Sequence, residues 1–205
     1  DFKEAIKWYQ LSAKQGYAEA QNNLGVMYNK GRGVPQNYKE AIKWVGLAAE
    51  QGFGHAQTNL GGMYEKGQGV PQDYKEAVRL HRLAVKQGLA QAQYNLGVSY
   101  DRGHGVPQDY KEAVRLYRLA AEQGFAPAQY NLGAMYFEGL GVPQDHKEAV
   151  KWFRRSAEQG NAHAQNNLGV MYDKGHGVSQ DFKEAIKWYQ LSAKQGYAEA
   201  QNNLG

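Results

Sequence analysis

The chain alternates between two kinds of amphipathic stretch, and the copy from residue 17 to residue 51 shows both. Ala20, Leu24, Met27 and Tyr28 recur at i, i+4, i+7 and i+8, which is one apolar stripe of a first helix, A. The stripe stops at Gly31-Arg32-Gly33, where glycine takes the left-handed C′ conformation at little cost. Pro35 then prevents the helix from resuming. A second helix, B, begins at Asn37, which is Asp in other copies (Asp73, Asp109), and Glu40 three residues on makes an acidic variant of the capping box. Ala41, Trp44, Val45 and Ala48 form its buried stripe, Lys39, Glu40, Lys43 and Glu50 its wet face, and Gly52 closes it. Helix A has a weaker start signal, because Tyr17 and Phe53 are poor N-caps.

This unit repeats every 36 residues. Gly16, Gly52, Gly88, Gly124, Gly160 and Gly196 keep that spacing without one insertion. Tyr28, Tyr64, Tyr100, Tyr136 and Tyr172 follow the same register, as does an asparagine column from Asn23 to Asn203. The period predicts an all-α, right-handed superhelical solenoid of antiparallel helix pairs rather than one compact core. Residues 1–16 are then a lone helix B, 17–52, 53–88, 89–124, 125–160 and 161–196 five complete repeats, and 197–205 the start of a further helix A. Ala20, Ala41, Ala48 and Ala49 let helices approach closely, while Trp44 and Tyr28 fill wider gaps. A single pair buries too little of itself, so stability must come from stacking.

The string Ala20-Gln21-x-Asn23-Leu24-Gly25-x-x-Tyr28, then Gly31-x-Gly33-Val34-x-Gln36, Tyr38-Lys39-Glu40-Ala41-x-x-Trp44 and Ala49-x-Gln51-Gly52, resembles the Sel1-like repeat. That family is a cousin of the tetratricopeptide repeat, whose L-G-x-x-Y core Leu24-Gly25-x-x-Tyr28 matches. The likeness runs through the whole chain. It implies right-handed stacking, A helices on the concave side, and adaptor or scaffold roles. Some secreted members carry cysteine pairs, and this chain has no cysteine.

Positions constant in every copy should serve stacking, whereas a ligand site should fall where copies differ. On helix A the differing slots are those of Glu19, Asn22, Val26, Asn29 and Lys30, whose spacing places them on one face. The resemblance to tetratricopeptide repeats implies that these slots line a ligand groove. Read along the array, the groove offers His55 in the second repeat and Tyr94, Asp101 and Arg102 in the third. The fourth supplies Tyr130 and Phe137. Tyr94, Tyr130 and Phe137 form the candidate hot spot, because aromatic residues dominate interface energetics; the alternative is that the rings only cover one another between helices. Asn59, Asn95, Asn131 and Asn167 of the constant column are also candidates. By the same resemblance they would bond a peptide backbone; alternatively they satisfy a neighbouring helix.

Composition narrows the chemistry. Glycine is high, at 25 of 205, yet 42 % of residues are hydrophobic, so the glycines mark programmed turns rather than disorder. A net charge of +4 falls short of the concentrated basic face that nucleic-acid binding needs. Without cysteine there is no disulfide, thiolate metal site or thiol nucleophile. His55 and His163 share a slot three copies apart, and His104 and His176 a turn slot two copies apart, too distant for one zinc ion when packed helices lie ~8–10 Å apart. The Gly-x-Gly turns follow a helix C-terminus and lack the preceding strand of a nucleotide loop. No catalytic constellation stands out, so neither an enzyme site nor a cofactor is expected. Arg155 stands where other copies carry Leu, which predicts a half-exposed slot. No apolar run reaches membrane-spanning length.

Residues 1–25 and 181–205 are identical at all 25 positions, whereas residues 37–61 match the first block at only 15. A recent duplication, an engineered array or a cut from a longer near-perfect array would each produce this. The chain opens in mid-pattern, without initiator Met or signal peptide, which reads as part of a longer protein and leaves the compartment open, cytoplasmic, periplasmic or secreted. Neither end carries a polar cap, so head-to-tail self-association is expected. The leading functional expectation is a non-catalytic scaffold that binds a protein or peptide segment in the A-helix groove. The alternatives are a structural or engineered array without specific ligand, and a regulatory arm of a larger bacterial envelope or signalling complex.

Overall fold

A computed structural model of the chain describes residues 2–205, which form twelve helices and, among the described residues, no strand. They divide into two compact units, one ending at Gln108 and the other starting at Asp109. The first holds α1 (Phe2–Lys14), α2 (Ala18–Lys30), α3 (Tyr38–Glu50), α4 (Gly54–Lys66), α5 (Tyr74–Val85) and α6 (Ala90–Arg102). The second holds α7 (Tyr110–Glu122), α8 (Ala126–Glu138), α9 (His146–Glu158), α10 (Ala162–Lys174), α11 (Phe182–Lys194) and α12 (Ala198–Asn202). Odd-numbered helices are B and even-numbered ones A, and within each unit every helix packs on the next.

The A–B turn is built from backbone and one glutamine. Gly31 closes α2 at φ 64°, and Arg32 N–H bonds the Met27 carbonyl at 3.0 Å. Gln36 Nε2 donates to the Asn29 carbonyl at 2.7 Å, and Gln72, Gln108, Gln144 and Gln180 repeat that bond. Asn37 caps α3, its Oδ1 accepting from Lys39 N at 3.0 Å and Glu40 N at 3.1 Å. The reciprocal half of the expected capping box is missing, for a clear reason. Asn37 N–H already donates to the Tyr28 carbonyl at 2.9 Å, so the glutamate turns forward instead. Glu40 accepts from the Trp44 indole at 3.2 Å, and Glu76 holds Arg79. The start of helix A carries no side-chain cap at Tyr17 or Phe53; among the described residues only Asn161 caps an A helix, its Oδ1 accepting from Ala164 N at 2.9 Å.

Each pair is antiparallel, with Gly25 against Ala41 and Val45 and Gln21 against Gln51. The expected stripe is buried: Ala20, Leu24 and Met27 on α2, and Ala41, Val45 and Ala48 on α3. Trp44 and Tyr28 are half-buried. Arg155 is exposed, with its guanidinium 4.7 Å from the Trp152 ring centroid.

Two polar rungs recur between helices. Gln21 is buried, donates to the Ala13 carbonyl of α1 at 3.1 Å, and accepts from Gln51 of α3 at 2.7 Å, so one amide ties three helices. Gln57, Gln129 and Gln165 do the same. The second rung joins a B-helix arginine to the tyrosine of the following A helix. Arg82 donates to Tyr100 Oη at 2.9 Å and Arg118 to Tyr136 Oη at 2.5 Å, and Arg154 pairs with Tyr172.

Candidate functional site

In the first unit the A helices present a concavity of about 450 Å³. Asn29 and Lys30 of α2, Asn59, Glu65 and Lys66 of α4, and Tyr94, Asn95 and Arg102 of α6 line it, with Gly62 and Val98 between them. The sequence-selected Asn59, Tyr94, Asn95 and Arg102 therefore meet in one place. Three of its lining side chains are cationic (Lys30, Lys66, Arg102) and one is anionic (Glu65), which leaves an excess of positive charge on its walls. His55 is exposed on the first turn of α4, its ring 5.6 Å from Phe53. Asp101 is half-buried, and its carbonyl accepts from Gln108.

Part of the expected groove face turns out to be a packing face. Asn22, Thr58 and Asn166 are buried, at 6 %, 6 % and 3 % exposure. Asn59 Nδ2 donates to Asn22 Oδ1 at 2.8 Å, and Asn203 Nδ2 to Asn166 Oδ1 at 3.1 Å, linking one A helix to the next. Thr58 Oγ1 donates to the Gly54 carbonyl at 2.9 Å. Asn59 thus spends its amide on the neighbouring repeat. Asn95 Oδ1 accepts from Gln91 at 2.8 Å and stays beside the concavity.

The other rings lie in the second unit and are engaged there. Tyr130 is half-buried, 5.9 Å from Phe153 and 5.7 Å from His163. Phe137 stacks on His146 at 5.1 Å, and His146 stacks on His176 at the same distance. Phe137 and Asn167 line a small cavity of about 80 Å³ with Phe153, Val170 and Met171. Asn131 is half-buried on α8. Next to His163, Tyr197 makes an edge contact at 4.7 Å and donates to Glu199 Oε2 at 2.9 Å. Burial first, and then that carboxylate, pushes the Tyr197 phenol up to about 12.

Sequence reasoning passed over the glutamine rung, although Gln21 and Gln51 stood in the quoted motif. The burial of His81 was equally unforeseen: it is fully enclosed in α5, its Nε2 lies 3.2 Å from Glu65 Oε1, and its Nδ1 has no partner. The signal available was its slot, which holds Tyr117, Phe153 and Tyr189 in other copies.

Stacked helical hairpins with recurring polar rungs and a changing A-helix face define a repeat protein of the interaction-scaffold class. The chain belongs to the Sel1 repeat family, whose model matches residues 1–17, 18–53, 54–89, 90–125, 126–161 and 162–197. Proteins of this family are generally non-catalytic scaffolds for protein–protein interaction. The fold is similar to a protective antigen of uropathogenic Escherichia coli strains displaying an SLR fold, at 39 % identity and TM-score 0.87 over 100 % of this chain and 44 % of that one. It thus spans less than half of that antigen. A Sel1 repeat protein from Oxalobacter formigenes is similar at 39 % identity and TM-score 0.90 over 99 % and 81 % of the two chains. One from Klebsiella pneumoniae gives 25 % and 0.65 over 97 % of each. A search of curated proteins finds no match. No helix among the described residues is long and apolar enough to cross a membrane.

Proposed function

We propose that this chain is a scaffold that holds an acidic, extended polypeptide segment against the A-helix face of α2, α4 and α6. The observation that carries the reading is the concavity itself. Three successive A helices contribute to it through slots that differ between repeats, with cations in excess and Tyr94 and Val98 as the apolar contact. A face that differs between repeats, carried on a packing frame that they share, is what selective binding needs. In this reading Asn95, which lines the concavity, bonds the peptide backbone, since Asn59 already donates to Asn22. Tyr130 and Phe137 add a second apolar place in the second unit.

The test is a pull-down with the intact chain, followed by calorimetry on the captured partner. Tyr94→Ala combined with Arg102→Glu should weaken binding at least tenfold, which is about 1.4 kcal/mol, with an unchanged far-UV spectrum. Full binding by that variant removes the A-helix face from the reading.

A further inference from the structure

One B-helix slot holds arginine three times (Arg82, Arg118, Arg154), glutamine twice (Gln10, Gln190) and glycine once (Gly46). In three repeats an arginine of the B helix reaches the tyrosine of the next A helix. Arg118 lies 6.0 Å from the Tyr136 ring centroid and Arg154 5.8 Å from that of Tyr172, each also bonded to the phenol oxygen. Arg82 bonds Tyr100 in the same way. The equivalent position in α3 is Gly46, and the equivalent phenol is Tyr64 of α4. A Cβ added at Gly46 would meet nothing within 4 Å. The space is not filled from elsewhere: Gly46 opens onto a concavity of about 640 Å³ between α3, α4 and α5.

We propose that this gap is a docking site for the arginine side chain of a partner polypeptide, which supplies in trans the contact that Arg82, Arg118 and Arg154 make in cis. The walls suit that occupant. Leu47, Leu60, Leu80 and Leu83 line the concavity and would take an arginine stem and an apolar neighbour. Tyr64 offers a ring face and a phenol oxygen, the two features its counterparts give to arginine. The charges are arranged accordingly. Arg79 is held by Glu76 at 2.6 and 2.8 Å, and Lys43 lies over Trp44, 3.9 Å from Glu40. Glu50, exposed at the rim, makes no ion pair among the described residues and remains as the carboxylate for an incoming cation. A guanidinium matches better than an ammonium, because it can lie flat on the ring while forking to two oxygens. This site, between α3, α4 and α5, shares no lining residue with the concavity of α2, α4 and α6.

The experiment is an NMR titration of the intact chain with a blocked Leu-Arg-Leu peptide, against the same peptide carrying lysine or citrulline. Saturable shifts are expected at Gly46, Tyr64 and Leu83 with the arginine peptide, and affinity roughly tenfold weaker with either substitute. Gly46→Arg should fold, since three repeats already carry arginine there, and should abolish those shifts by filling the gap from within. Tyr64→Phe, which leaves the gap open, should weaken binding severalfold. Absence of saturable shifts at millimolar peptide, equal binding of the lysine or citrulline peptide, or unchanged affinity in both variants would overturn the proposal.

Discussion

Gly25 and Gly46 sit inside adjacent 13-residue helices, yet replacing each with alanine should move stability in opposite directions. The gain in helix propensity is the same at both, about 1 kcal/mol for Gly→Ala in a helix interior. The surroundings differ. At Gly46 the new methyl meets nothing within 4 Å, so the propensity term stands almost alone and Gly46→Ala should stabilise by roughly 1 kcal/mol. At Gly25 the methyl would lie 2.5 Å from Val45 Cγ2, 2.9 Å from Val45 N and 3.0 Å from the Ala41 carbonyl. Two of those atoms are backbone, so relief requires α2 and α3 to separate. Overpacking of this kind costs about 1–3 kcal/mol, and the upper half of that range applies when backbone must yield. The net for Gly25→Ala is a loss of about 1–2 kcal/mol, some 2–3 kcal/mol apart from Gly46→Ala. Urea unfolding followed by far-UV circular dichroism measures both. Stabilisation by Gly25→Ala would refute the close A–B approach, and destabilisation by Gly46→Ala would refute the open gap.

His81 and Tyr197 carry two further expectations. His81→Phe should stabilise by about 1 kcal/mol, read as a higher urea midpoint, because it removes the unpartnered Nδ1 while Glu65 stays 26 % exposed and hydrated; a lower midpoint would show that the Glu65 contact matters more. Tyr197 should ionise near 12 in a spectrophotometric titration, read as the difference from Tyr197→Phe. Its folded-state value lies above the ordinary phenol value, so its contribution to stability is complete below about 10 and disappears as pH rises through 12. Ionisation at the ordinary value would remove the Glu199 contact.

The turn chemistry was legible in sequence because it is local. Gly31, Pro35 and Asn37 act on bonds a few residues away, and the structure puts the helix boundaries where they point. The groove was legible only in part. At 3.6 residues per turn, the slots of Glu19, Asn22, Val26, Asn29 and Lys30 span an arc of about 100°, and Asn22 and Asn29 lie on its flank. The neighbouring A helix covers that flank, which is why Asn22 is buried while Lys30 is exposed. An arc drawn on one helix carries no information about where the next helix lies. The glutamine rung was hidden for the same reason, since Gln51 and Gln21 are 30 residues apart and their pairing depends on how three helices register.

Gly46 shows what a repeat frame allows that a single core does not. In a compact core, deleting a side chain leaves a cavity that the rest of the domain collapses upon or suffers from. In a solenoid each repeat touches its neighbours only, so a missing rung is a local event. The Gln51–Gln21 rung persists in this same repeat, and the buried alanines of α3 stay buried without the arginine. The frame therefore keeps its stability in rungs that every copy shares, and a departure in one outer slot is free to become a recognition feature. Arginine is the rung that can be given up, because it lies at the exposed margin, where its removal uncovers Tyr64 and a leucine wall rather than orphaning a buried donor. Removing a Gln57-type rung would instead strand a buried amide and a carbonyl.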